Sequence, residues 1–139
     1  MTTPLRVIRA ALLVPLALLL AGAAPAAHAS PRHGLPGNWL RLAVTRGDAR
    51  SSDTRGVLLL CDPPQGHAHA ARACRQLAAA GGDIGRIPRR SGTMCPMIYA
   101  PVTASAHGAW NGRRVDYTRA FSNSCAMKAE TGAVFDLSS

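Results

Sequence analysis

The chain has 139 residues, 47% hydrophobic but only 4% aromatic, with 16 Lys+Arg against 7 Asp+Glu for a formal charge of +9. This length excludes two large domains, and a charged fraction of 17% without charge runs or polar tracts excludes wholesale disorder. Four cysteines in so short a chain make the redox compartment the first question.

The first 29 residues address it. Met1 to Arg9 carries Arg6 and Arg9 and no acid, Ala10 to Ala21 is a Leu/Ala/Val run broken only by Pro15, and small residues follow up to Ala27-His28-Ala29. This is the order of a secretory signal peptide. The apolar run, about 12 residues, is too short for a spanning helix. Residues 1–29 are therefore expected to be removed by cleavage after Ala29, with Ala26 as the rival site. Residues 30–139 would be secreted to the extracellular space as a single domain with its ordered core over about 39–137, and with no membrane attachment after cleavage. Loss of Arg6 and Arg9 lowers the charge from +9 to +7. A domain of this size buries roughly two-thirds of its unfolded surface, a thin margin that cross-links would widen.

In an oxidising compartment Cys61, Cys74, Cys95 and Cys125 imply two disulfides. Three pairings are possible. Nearest-neighbour pairing closes two short loops, each contributing roughly 3–4 kcal/mol on the chain-entropy model. The absence of a C-x-x-C knuckle argues against zinc.

Along the mature chain, Ser30 to Asn38 is Pro/Gly-rich and reads as a loose tail. Leu40, Leu42 and Val44 alternate with Arg41, Ala43 and Thr45, which predicts a strand from Trp39 to Thr45 with one wet face. Gly47 to Arg55 is polar and turn-like. Val57 to Cys61 is a short apolar run, a more buried strand ended by Asp62-Pro63-Pro64. From His67 to Ala80, Ala70, Ala73, Cys74 and Leu77 fall at i, i+3, i+4 and i+7, predicting a helix stopped by Gly81-Gly82. Its Cys74 faces inward and could reach Cys61. Asp83 to Thr93 reads as a Gly/Pro/Arg-rich loop with room for one helical turn. Val102 to His107 alternates as a strand. Asn111-Gly112, between Trp110 and the Val115/Tyr117/Arg119/Phe121 alternation, is a strong hairpin signal. Cys125 to Glu130 suggests a short helix, and Val134 to Leu137 a final strand. The total is five mostly antiparallel strands.

Met94-Cys95-Pro96-Met97-Ile98-Tyr99-Ala100-Pro101 breaks the pattern. It has the side chains of a core strand, yet its two prolines cannot donate to a ladder and force their predecessors into extended conformations. An extended loop is expected instead. Apolar side chains on a rigid exposed loop suit another protein's cleft better than water.

At this point the chain resembles the Streptomyces subtilisin inhibitor family. The resemblance runs through Leu60-Cys61-Asp62-Pro63-Pro64, Cys74 with Leu77 to Asp83, Met94 to Tyr99, Trp110 to Val115, Phe121-Ser122-Asn123-Ser124-Cys125, and Val134-Phe135. These blocks cover nearly all of residues 39–137, in order. The resemblance implies a secreted inhibitor of subtilisin-like serine proteases, with chymotrypsin-like enzymes as further targets, that works through a substrate-like loop and is not itself an enzyme. It implies an α+β fold, a five-stranded antiparallel sheet with two helices, and a homodimer. It also implies the disulfides Cys61–Cys74 and Cys95–Cys125 and a reactive bond between Met97 and Ile98. Met94, Cys95, Pro96, Tyr99, Ala100 and Pro101 would contact the protease, and Asn123 would support the loop from behind. Family loops usually carry an acidic or polar residue where Ala100 stands.

Other features read more plainly. Trp110, Tyr117 and Phe121 fit a core or an interface. His67 and His69 lack a third metal ligand and read as solvated, so no metal or other cofactor is expected. Arg86, Arg89 and Arg90 read as a solubilising surface. They also motivate the alternative of a basic module that binds a polyanion, although nucleic acid is not the expected partner. A small hydrolase is disfavoured because nothing resembles a G-x-S-x-G elbow or a paired-carboxylate site.

Overall fold

Leu40 and Leu42 are wholly buried while Arg41 between them is exposed, the alternation of a strand with one face on a core. They lie on β1 (Trp39–Arg46), the middle strand of an antiparallel sheet. The other strands are β2 (Thr54–Cys61), β3 (Pro64–Gln65), β4 (Val102–Trp110) and β5 (Arg113–Phe121), in the order β3-β2-β1-β4-β5. The computed structural model describes residue 35 and residues 37–47 and 53–138. The expected signal peptide, most of the expected N-terminal tail and residues 48–52 of the first turn lie outside these.

The β4–β5 hairpin turns at Asn111 and Gly112, whose φ values of 48° and 74° are both in the left-handed region. That pair of conformations matches the right-handed twist of the flanking strands. One face of the sheet is covered by α1 (Ala70–Ala79), a 3-10 turn (Ile84–Arg86) and α2 (Ser124–Thr131). Helix α1 buries Ala70, Ala73, Cys74 and Leu77, the stripe its spacing predicts. It ends as the glycines require. Gly81 N–H donates to Ala78 O and Gly82 N–H to Leu77 O, both glycines having positive φ. A Cβ at Gly82 would lie 2.4 Å from Trp110 Cγ, so only glycine lets the helix end pack on that ring. The Asp83 carboxylate then accepts from Gly85 N–H and caps the 3-10 turn.

The disulfides pair as Cys61–Cys74, from β2 to α1, and Cys95–Cys125, from the Met94–Pro101 segment to α2. The fold is thus α+β, a five-stranded antiparallel sheet with two helices and two disulfides, as the resemblance implies.

Five strands are present, but not the five that periodicity suggests. Val134 to Leu137 is not a strand. Val134 N–H donates to Thr131 O and Asp136 N–H to Ala133 O, so the segment turns back on itself after α2. Val134 and Phe135 are nonetheless core residues, with Phe135 stacked on Tyr117 at 5.9 Å between centroids. A buried apolar run of four residues cannot reveal whether its backbone is paired or turned. The fifth strand is Pro64–Gln65, which begins on the last residue of the Asp62-Pro63-Pro64 stretch expected only to end β2. Strand β2 also begins earlier than its apolar run, because Thr54 and Arg55 pair through their backbones with Thr45 and Val44.

Two further expectations change. Helix α1 starts at Ala70 rather than His67, because the His67 carbonyl and ring Nδ1 accept from the N–H groups of Ala70 and His69. Asn38 is not part of a loose tail. Its carbonyl accepts from Cys61 N–H and its N–H donates to Asp62 Oδ2.

Candidate functional site

The Met94–Pro101 segment has no regular secondary structure and joins no strand of the sheet. Met94 is 95% exposed, Met97 104%, Ile98 64% and Tyr99 82%. Among the described residues the only other exposed large hydrophobic is Leu35. The apolar surface this small domain leaves in water is therefore concentrated on one loop, the pattern of a docking element rather than of a core.

Main-chain contacts hold the loop in place. The Cys95–Cys125 bridge ties its N-terminal half to α2. Ala100 N–H donates to Ser122 O at 2.9 Å, and Gly47 N–H donates to Pro101 O at 2.8 Å. Upstream, Arg90 N–H donates to Ala129 O. Asn123 connects all of this. Its Oδ1 accepts from Ala126 N–H and caps α2, while its Nδ2 donates to Pro96 O at 3.1 Å and Ile98 O at 2.9 Å. The amide is buried, and it spans the carbonyls on either side of Met97. Each such bond contributes on the order of 1 kcal/mol, but their arrangement matters more. The backbone flanking Met97 is fixed from the scaffold side, and the Met97 side chain projects into solvent.

All the residues the sequence singles out in this region thus come together: Met94 to Pro101, Cys125 and Asn123. Sequence reasoning missed Ser122, Ala129 and Gly47. They act through backbone groups, so their side chains carry no signal of the role.

The remaining candidates lie elsewhere. His67 is not solvated. It is half-buried, with Nδ1 accepting from His69 N–H and Nε2 3.1 Å from Val134 O. His69 pairs with Asp136. Among the described residues no group of three His, Cys, Asp or Glu side chains is arranged to hold a metal. Arg89 pairs with Glu130 at 3.5 Å, and Arg119 reaches the same carboxylate at 2.7 Å, so part of the arginine cluster is neutralised. Trp110 and Phe121 are core residues. Burial pushes the Tyr117 hydroxyl pKa up, against the Arg119 charge. The described helices include none long and apolar enough to cross a membrane.

The model of the subtilisin inhibitor-like family matches residues 36–123, a stretch that contains the exposed loop and ends on Asn123. The chain belongs to the subtilisin inhibitor-like family. A Streptomyces avermitilis protein, whose name proposes serine protease inhibition, is 61% identical over 138 residues, covering 99% of this chain and 91% of that one. The subtilisin inhibitor of Streptomyces albogriseolus is 45% identical over 100 residues, covering 68% of this chain and 69% of that one. Among solved structures, Streptomyces caespitosus sermetstatin in complex with Bacillus licheniformis subtilisin is similar at a TM-score of 0.59 and 33% identity, over 70% of this chain and 96% of that one. In this subtilisin inhibitor-like domain the sheet, α2 and the Cys95–Cys125 disulfide hold the exposed apolar loop. Ala100 is held in it through its backbone N–H, which donates to Ser122 O.

Proposed function

We propose that this protein inhibits subtilisin-like serine proteases, and chymotrypsin-like ones, by offering the Met97–Ile98 bond as a substrate that the protease cannot profitably cleave. The observation that carries the reading is the buried Asn123 amide spanning the Pro96 and Ile98 carbonyls behind a fully exposed Met97. The names of its relatives support the target class.

An extended loop with fixed backbone can add to the protease's substrate-binding strands through main-chain hydrogen bonds. It loses little conformational entropy on binding, because two prolines and the Cys95 tether already restrict it. Met97 enters the primary pocket, with Met94, Cys95 and Pro96 on one side of the bond and Ile98, Tyr99, Ala100 and Pro101 on the other. The protease serine attacks the Met97 carbonyl, whose oxygen enters the oxyanion hole. After cleavage the new ends cannot separate. The Cys95–Cys125 bridge holds one side, and the Ala100–Ser122 hydrogen bond with the continuing β4 strand holds the other. Religation then competes with release. Met is unbranched and apolar, so it suits a roomy apolar pocket and lacks the cation that a trypsin-like pocket selects.

Secretion by way of the residue 1–29 signal peptide belongs to the same reading, as does a homodimer.

The test is titration of subtilisin with the oxidised mature protein, expected to abolish activity at one inhibitor site per protease. Full protease activity at equimolar inhibitor would overturn the proposal. Brief incubation with subtilisin at low pH, followed by N-terminal sequencing, should yield a new terminus at Ile98; any other terminus relocates the bond. Inhibition should hardly change with salt, whereas binding to a polyanion would fall steeply.

A further inference from the structure

We infer that Met97 is an oxidation site, and that its sulfoxide switches the inhibitor off. This rests on the reading of Met97 as the residue that enters the protease's primary pocket. Three methionines are described, in two environments. Met94 and Met97 are 95% and 104% exposed, while Met127 on α2 is 2% exposed within the core. An oxidant reaches the Met97 sulfur without any movement of the protein, and reaches Met127 only through opening of the fold. Both loop methionines flank Cys95, whose sulfur is already committed to the bridge with Cys125.

The oxidant is a peroxide. The thioether sulfur attacks the terminal peroxide oxygen, an S–O bond forms and the O–O bond breaks. Sulfur is oxidised by two electrons, and hydrogen peroxide is reduced to water. The product is polar and chiral where the thioether was apolar and flexible. The loop itself is unaffected, because Asn123, Ser122 and Cys125 hold it through backbone carbonyls, a backbone N–H and the Cys95 sulfur, never through the Met97 side chain. The change falls on the pocket side of the interface. Desolvating a sulfoxide oxygen against an apolar wall without a donor weakens binding by about ten- to a hundred-fold. Because the sulfoxide can be reduced by a pair of reductases, one per epimer, the switch is reversible. An inhibitor of this kind would release its protease under oxidative stress and recapture it afterwards.

The experiment treats the mature protein with hydrogen peroxide, removes the peroxide with catalase, maps oxygen addition by peptide mass and titrates subtilisin. Wild type, Met94→Leu and Met97→Leu are compared, since Leu keeps the apolar volume but cannot be oxidised. Met97 and Met94 should gain oxygen well before Met127. Wild type and Met94→Leu should lose inhibition by about ten-fold or more and recover it after treatment with both sulfoxide reductases. Met97→Leu should still gain oxygen at Met94, but its inhibition after peroxide should equal its own untreated level. Unchanged inhibition by protein fully oxidised at Met97, equal loss in Met97→Leu, or oxidation of Met127 as fast as Met97 would each overturn the inference. Failure of the untreated protein to inhibit would overturn the inhibitor reading and this inference with it. Inhibition that survives Met97 oxidation overturns this inference alone.

Discussion

The side-chain nitrogen of Asn123 lies 2.9 Å from the carbonyl oxygen of Ile98, and the same residue is the N-cap of α2 through its Oδ1. One amide therefore couples the start of a helix to the Met97–Ile98 segment proposed as the reactive bond, and two substitutions separate its jobs. Asn123→Asp keeps an acceptor for Ala126 N–H but removes the donor and sets a carboxylate against two carbonyl oxygens. Asn123→Ala loses both roles. Asn123→Ala should cost about 1–2 kcal/mol in chemical denaturation from the lost cap alone, while Asn123→Asp keeps the cap but is destabilised by its buried carboxylate facing two carbonyl oxygens. Both should be cleaved by subtilisin faster than wild type, because the loop is no longer held between Pro96 and Ile98. Equal resistance of both variants to cleavage would remove Asn123 from the positioning role.

Removal of the Cys95–Cys125 bridge separates tight binding from resistance to hydrolysis. With both cysteines replaced by alanine, the apolar loop still presents Met97. However, the N-terminal side of the cut would be held only by weaker contacts. Global stability should fall by about 2–4 kcal/mol, and inhibition should become temporary, with protease activity returning as the loop is consumed. A parallel Cys61/Cys74 double variant should lose comparable stability but keep its resistance to cleavage for as long as it stays folded, since that bridge joins β2 to α1 away from the loop. Equal rates of cleavage in the two variants would show that the bridges serve only stability.

How far sequence alone reaches is clear from particular residues. Strand β1, helix α1 and the Asn111-Gly112 hairpin are local events: alternation, i/i+3/i+4 spacing and a turn that needs two positive φ values. The loop was legible because prolines at 96 and 101 contradict an otherwise strand-like run. The pairing of the cysteines and the part played by Asn123 came from resemblance, not from periodicity. The Val134–Leu137 turn and the Pro64–Gln65 strand are not legible because both are made by backbone bonds to near neighbours, Thr131 and Ala133 for the turn and Leu60 and Cys61 for the strand, which leave no side-chain period. His67 shows a second limit. Whether a histidine is solvated or built into the fold depends on a carbonyl at Val134, 67 residues away.

That contact leads to a pH prediction. Burial lowers the His67 pKa below its usual 6.5, outweighing the Val134 carbonyl, which would raise it. The unfolded chain therefore takes up a proton as pH falls through 6.5 while the folded chain resists, so stability is lost from that point downward. Asp136 adds a second window. Burial alone would raise its pKa, but hydrogen bonds from Lys128 and Ser138 and the charges of Lys128 and His69 hold it down to about 2, against an ordinary 3.8. The stability this carboxylate supplies is present above 3.8 and lost as pH falls toward 2. Thermal melts taken downward from neutral pH should show a first decline below 6.5 and a second between 3.8 and 2. His67→Gln should remove the first decline and Lys128→Met should shrink the second. A His67→Gln protein with the wild-type slope near pH 6 would refute the assignment.

Specificity should follow the side chain at position 97 and little else. Met97 is fully exposed and makes no scaffold contact that fixes the loop, so its replacement should leave the fold intact and alter only what the protease pocket receives. Met97→Lys places a cation where a trypsin-like pocket holds its buried acid, so the variant should inhibit trypsin, which wild type should bind only weakly. Its long aliphatic stem should preserve part of the affinity for subtilisin. Met97→Asp drives a carboxylate into an apolar pocket without a partner, which should weaken subtilisin binding by about a hundred-fold or more. Melting temperatures of both variants should match wild type, because loss of a solvated side chain changes stability little. Undiminished subtilisin inhibition by Met97→Asp, in a protein that melts normally, would mean that a different residue of the loop fills the pocket. Met94, Tyr99 and Ile98, the other exposed apolar side chains of the segment, would then be the positions to substitute.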